Sequence, residues 1–144
     1  MEIAVPVDNN IKLYRKNPFT APKFAIFRLD IASNVVVSKS AIVENPLVKI
    51  HTEFSQDHID CSCVRKEQFD LKHICEHYAV LDVIGKTTFL LASTYCPNIS
   101  RCMKNVGIKI YKIPPIIQEL ETAIKNFLIG ASYAYTIQEI DYAS

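Results

Sequence analysis

The chain predicts an α/β fold in which helices cover a mixed β-sheet, and three observations carry that expectation. Short apolar or alternating runs, several rich in β-branched residues, recur along the sequence. Apolar residues at helical spacing separate the later runs. The first three strand-like runs follow one another directly, while the last two alternate with helices. The order is therefore β-β-β-α-β-α-β-α, a hairpin followed by βα units.

Each element has its own local cause. Glu2-Ile-Ala-Val-Pro-Val7 is an apolar run that ends at Asp8-Asn9-Asn10. After a loop with Pro18 and Pro22, Lys23 to Leu29 alternates Phe24, Ile26 and, more weakly, Leu29 with Ala25 and Arg28, the period of a strand. Asp30 to Asn34 is turn-like, Val35 to Val43 is rich in β-branched residues, and Asn45-Pro46 closes the hairpin. Residues 47 to 66 form a long polar connection without a period, of the kind that carries function when found inside a compact domain. Leu71, Ile74, Tyr78 and Leu81 then form a helical stripe with Gly85 as its stop. Thr87 to Ala92 is a fourth strand. Pro97 and Asn98 open a short helix with Ile99, Cys102, Met103 and Val106, stopped by Gly107. Ile108 to Ile113 alternates as a fifth strand. Pro114-Pro115 leads into a helix with Ile116, Ile117, Leu120, Ile124, Phe127 and Leu128, with Gly130 as its expected end. The tail over 131–144 fits helix and strand equally.

Composition narrows the functional classes. At 144 residues the chain fits one domain with a core of its own. About half the residues are apolar, 22% are charged and the net charge is +1, so there is no electrostatic case for nucleic acid or a membrane surface. No apolar stretch approaches the ~20 residues needed to span a bilayer. Five cysteines make an odd count. The first strand begins almost at Met1, which leaves no room for a signal peptide, so reduced thiols in a cytoplasmic protein are the expectation.

The densest chemical signal lies between residues 58 and 77, where His58, Cys61, Cys63, His73, Cys75 and His77 bring together three of the five cysteines and three of the four histidines. Thiolates and imidazoles are ligands of zinc, copper and iron–sulfur units. Cys61 and Cys63 form a C-x-C pair in a polar loop, able to present both sulfurs to one centre; surface thiols or a redox-labile pair are the alternatives. His73 and His77, four apart on a helix, share a face at chelating distance, or serve as boundary histidines. Cys75 lies about 160° around that helix from His77. It either joins Cys61 and Cys63 or packs as a half-buried apolar residue. His58 is a fourth ligand or solvated, and His51 has no neighbouring partner. Cys96, just before Pro97, sits where the positive end of a helix favours a thiolate. Cys102 shares an apolar helical face with Ile99, Met103 and Val106 and belongs to the core.

Several strings resemble the NifX/NifB-type dinitrogenase iron–molybdenum cofactor biosynthesis domain family over residues 1 to 130. Glu2-Ile-Ala-Val-Pro-Val-Asp8 resembles that family's first strand and turn. Asn17-Pro-Phe-Thr-Ala-Pro-Lys-Phe-Ala-Ile-Phe27 is similar to its segment of His-Phe-Gly, Ala-Pro and an aromatic strand. Val43-Glu-Asn-Pro46 and Gly107-Ile-Lys-Ile-Tyr111 resemble the ends of its third strand and its last strand. The chain departs from the pattern at Pro18, where the family often has histidine, and at Ser93-Thr-Tyr-Cys96, where the family usually has Gly-Gly.

The resemblance implies a three-layer ribonuclease H-like fold with sheet order 3-2-1-4-5, residues 131–144 forming a tail outside the domain. The carboxyl ends of strands one, three and four would then share one edge, bringing Asp8–Asn10, the 47–66 loop and Cys96 together where open α/β sheets bind ligands. The functional expectation is a non-catalytic cytoplasmic carrier of an iron–sulfur or iron–molybdenum cluster in cofactor assembly, as in nitrogen fixation. Cys61, Cys63, Cys75 and Cys96 would hold the cofactor, with His58, His73 and His77 as further metal ligands. Its partners would be cofactor-assembly proteins and a second copy of the chain. The alternative is an interaction module stabilised by zinc. Nuclease chemistry would need several converging carboxylates, of which Asp8 supplies one and Asp30 lies at the wrong end of its strand. A hydrolase or oxidoreductase built on Cys96 and a histidine would need a nucleophile–base–orienter pattern that the sequence does not display.

Overall fold

The structure, a computed structural model, describes the backbone of residues 1–30, 36–47 and 71–143 and, apart from Val36 and residues 132–143, their side chains. Five strands are β1 (Glu2–Val7), β2 (Lys23–Asp30), β3 (Val36–Glu44), β4 (Phe89–Ala92) and β5 (Lys109–Lys112). The helices are α1 (Leu71–Tyr78), α2 (Leu81–Ile84), α3 (Pro97–Asn105) and α4 (Leu120–Ala143). The sheet order is β3-β2-β1-β4-β5. β2 runs antiparallel to both β1 and β3, while β4 is parallel to β1 and β5. The α/β class, mixed sheet and strand order are those predicted.

β1 is central because its sequence can be buried on both sides. Ala4 faces one apolar cluster and Ile3, Val5 and Val7 face the other, following the two-residue period of a strand. On the Ala4 side, Phe24, Ile26 and Leu90 pack against Val80, Ile84, Ile99, Cys102 and Met103 from α1–α3 and their connections. On the opposite side, Ala25, Phe27 and Leu91 pack against Ala123, Ile124 and Phe127 of α4. Burying each large apolar side chain contributes ~1.5–3 kcal/mol.

Three details differ from the sequence expectation. The stripe over 71–84 is broken: Ala79 and Val80 bond back to Glu76 and His77 in tight i→i−3 turns before α2 begins, and Leu71 is 74% exposed. Pro114–Gln118 forms a turn and not the first helical turn, because the two prolines favour the Ile117 N–H to Pro114 carbonyl bond of 3.0 Å. Gly130 does not end the last helix, which continues to Ala143, so the tail is helical. Glycine in a helix interior only costs stability; it does not stop a helix that packing holds through Phe127 and Ala131. Gly107, by contrast, terminates α3 as expected, with φ +80°.

Candidate metal centre

The carboxyl ends of β1 and β4 lie side by side. After β1, Asp8 organises its own turn: its Oδ1 accepts from the N–H groups of Asn10 (2.8 Å) and Lys12 (3.0 Å). After β4, Ser93–Tyr95 leads into Cys96, whose extended backbone and position before Pro97 make it the N-cap of α3. The Cys96 Sγ accepts from the Ile99 N–H at 3.4 Å, the capping role a serine would usually fill.

Opposite Cys96, α1 presents His77, which is completely buried, while Cys96 is 3% exposed. Cys96 Sγ and His77 Nε2 are 3.3 Å apart. His77 Nδ1 lies 2.7 Å from the His73 carbonyl oxygen. A carbonyl can only accept, so Nδ1 carries the hydrogen and Nε2 is the nitrogen turned to the sulfur. The Phe19 ring stacks on the imidazole with centroids 3.9 Å apart and 13° between planes, and the His73 ring meets both edge-on at 5.7 and 4.6 Å. Phe19 is held in turn by Asn45, a buried amide that donates to the Phe19 and Ala21 carbonyls (3.1 and 2.9 Å) and accepts from the Leu47 N–H at 3.1 Å. This network fixes the ring position and tautomer of His77.

The six residues of the Cys/His segment therefore separate. His58, Cys61 and Cys63 lie outside the described residues, as does His51. His77 is drawn into the core against Cys96, and half-buried His73 supplies it with a backbone carbonyl and a ring edge. Cys75 is exposed, on the part of α1 turned away from His77, so it does not pack as an apolar residue. Cys102 is fully buried, and its Sγ lies 3.7 Å from the His77 carbonyl oxygen. Burial first, and then neighbouring Cys96, push its thiol from 9.0 up to about 11. Among the described residues, no group of three or more Cys, His, Asp or Glu side chains is arranged to hold a metal ion.

What the arrangement offers is a matched pair of donors. Metal-ligating histidines commonly donate their second ring N–H to a carbonyl, as His77 does to His73. Two ligands on one tetrahedral ion, with bonds of ~2.0–2.1 and ~2.3 Å, stand roughly 3.5 Å apart, close to the separation present here. The sequence singled out both residues but not their pairing, because residues 77 and 96 belong to different elements. Phe19 and Asn45 fall in the strings Asn17–Phe27 and Val43–Pro46 singled out above, but no local period marks the contacts they make here.

No family model matches the chain, and no curated protein matches it. Among solved structures, the crystal structure of PH0822 is similar, with a TM-score of 0.53 and 14% identity over 90% of this chain and 92% of that one. At that identity the likeness concerns the fold alone. Among the described residues no helix is long and apolar enough to cross a membrane.

Proposed function

We propose that this protein is a non-catalytic carrier of a thiophilic metal centre, an iron–sulfur or molybdenum-containing iron cluster, acting with cofactor-assembly proteins. The observation that carries the reading is the buried Cys96–His77 pair, 3.3 Å apart at the carboxyl edge of the sheet. Its setting supports the same reading. Leu47 packs in the same apolar cluster as Cys96, and Leu71 stands less than two helical turns before His77. The sequence between them carries His58, Cys61 and Cys63, further thiolate and imidazole donors. The resemblance to the NifX/NifB-type cofactor biosynthesis family points to the same class of cargo.

In this reading Cys96 loses its proton to become a thiolate ligand, and the His77 Nε2 lone pair completes a two-donor anchor, with Cys61 and Cys63 as the exchangeable ligands. Elemental analysis with an absorption spectrum on anaerobically purified and reconstituted protein tests it. Bound iron with charge-transfer absorption is expected, reduced severalfold by Cys96→Ser. Stoichiometric zinc in a colourless protein would replace the carrier with a zinc-stabilised module, and no metal after reconstitution would overturn both.

A further inference from the structure

β5 is an open edge of the sheet. The Lys109 and Ile113 N–H groups donate to the Thr88 and Ala92 carbonyls along β4, at 3.0 and 2.8 Å. Backbone groups alternate sides along a strand, so the N–H and C=O of Ile110 and Lys112 point outward, away from β4. Among the described residues no strand pairs with them. One side of this edge is walled. Tyr95, Ser100 and Lys104, from the loop before α3 and from α3 itself, stand with Ile108 and Ile110 around a groove of about 400 Å³. A strand laid beside β5 would place alternate side chains in that groove.

Charge marks the same place. From Val83 to Gln118 the sequence holds Lys86, Arg101, Lys104, Lys109 and Lys112 and no aspartate or glutamate, although 15 of the 144 residues are acidic. Arg101, Lys104, Lys109 and Lys112 are exposed, and the described residues give their side chains no ion-pair partner. On the opposite face of β5, the α4 neighbours of Tyr111 are Asn126 and Gly130, which carry no charge.

We propose that the β5 edge takes up an extended segment of a partner protein, rich in glutamate or aspartate, as a sixth strand of the sheet. Main-chain bonds to Ile110 and Lys112 hold it, an apolar side chain fills the groove beside Ile110, and carboxylates meet Lys104, Lys109 and Lys112. A second copy of the chain does not suit this edge. Paired with itself about a two-fold axis, β5 would gather two Lys109 and two Lys112 with no carboxylate among them, and like charges across a strand pair are destabilising. The lysines that discourage one edge from pairing with its like thus select an acidic strand. This surface is separate from the Cys96–His77 pair and needs no metal there.

Fluorescence anisotropy of the full chain with a labelled peptide alternating glutamate and valine over about eight residues tests the proposal, together with hydrogen exchange at the Ile110 and Lys112 amides. Saturable binding is expected, with slowed exchange at both amides. Lys104→Glu/Lys109→Glu, shown to be folded by circular dichroism, should weaken binding roughly tenfold or more. Methylating the backbone nitrogens of the peptide should abolish it. Absence of saturable binding overturns the proposal. So does binding indifferent to either change, or equal binding of a lysine–valine peptide or of single-stranded oligothymidylate. Exchange at Ile110 and Lys112 that slows as the free chain is concentrated would give the edge to a second copy, and would overturn it as well.

Discussion

His77 is the most constrained residue of the candidate site: it has no solvent exposure, and both ring nitrogens and one ring face are committed to named neighbours. Replacing it with alanine removes a stacked ring and leaves the His73 carbonyl and the Cys96 thiol to find new partners. The expected cost is about 2–4 kcal/mol, read as a lower denaturation midpoint at unchanged slope. Cys102 yields a pH prediction. Because its folded thiol titrates above the unfolded value of 9.0, the protonated form is stabilised by folding. That contribution is fully present below pH 9.0 and fades as pH rises toward about 11, where the folded thiol itself ionises. Its size is on the order of 1–3 kcal/mol. Urea denaturation at stepped alkaline pH should show stability falling through this window, with a shallower fall in Cys102→Ala. Alkylation followed by peptide mass analysis should label Cys75 in the native protein, and Cys96 and Cys102 only after unfolding. The residues of this site were legible as types. Their exposure was not, because two positions apart on α1, Cys75 and His77 face solvent and core.

Among the elements, the turn carrying Phe19 and the end of β3 are held together by one side chain. Asn45→Ala removes two donated and one accepted hydrogen bond from a buried position, leaving the Phe19 and Ala21 carbonyls and the Leu47 N–H without that partner. A loss of about 2–4 kcal/mol is expected in chemical denaturation. The larger consequence is for His77, whose ring rests on Phe19. If the tie matters to the site, Asn45→Ala should also lower metal uptake in reconstitution. At the end of α3, Gly107→Ala meets no atom within 4 Å yet must adopt φ +80°. The expected penalty is about 1 kcal/mol, from conformation alone. The elements with strong periods were legible: β1, β2, β3 and α3 lie within a residue or two of their predicted bounds. The last helix was not, because a glycine reads as a stop only when nothing packs beyond it, and Phe127 and Ala131 hold this one against the sheet.

For the molecule as a whole, the sheet distributes stability unevenly. β1 is hydrogen-bonded on both sides and buried from Ile3 to Val7, whereas β3 and β5 are edge strands with largely exposed or half-buried residues. Hydrogen exchange should therefore be slowest in β1 and its neighbours β2 and β4, and fastest at β3 and β5. The alternation of apolar residues, the glycine after α3 and the run of thiols and imidazoles are local facts, and by itself the sequence determined from them the α/β class, the strands and the kinds of ligand available. The pairing of Cys96 with His77, and the choice of His77's flank of α1 rather than Cys75's to face the core, were decided only by tertiary structure. The physical reason is shared. Secondary structure follows from periods of two and 3.6 residues within one segment. A buried cysteine–histidine pair depends on where separate segments meet across the sheet, which no local period encodes.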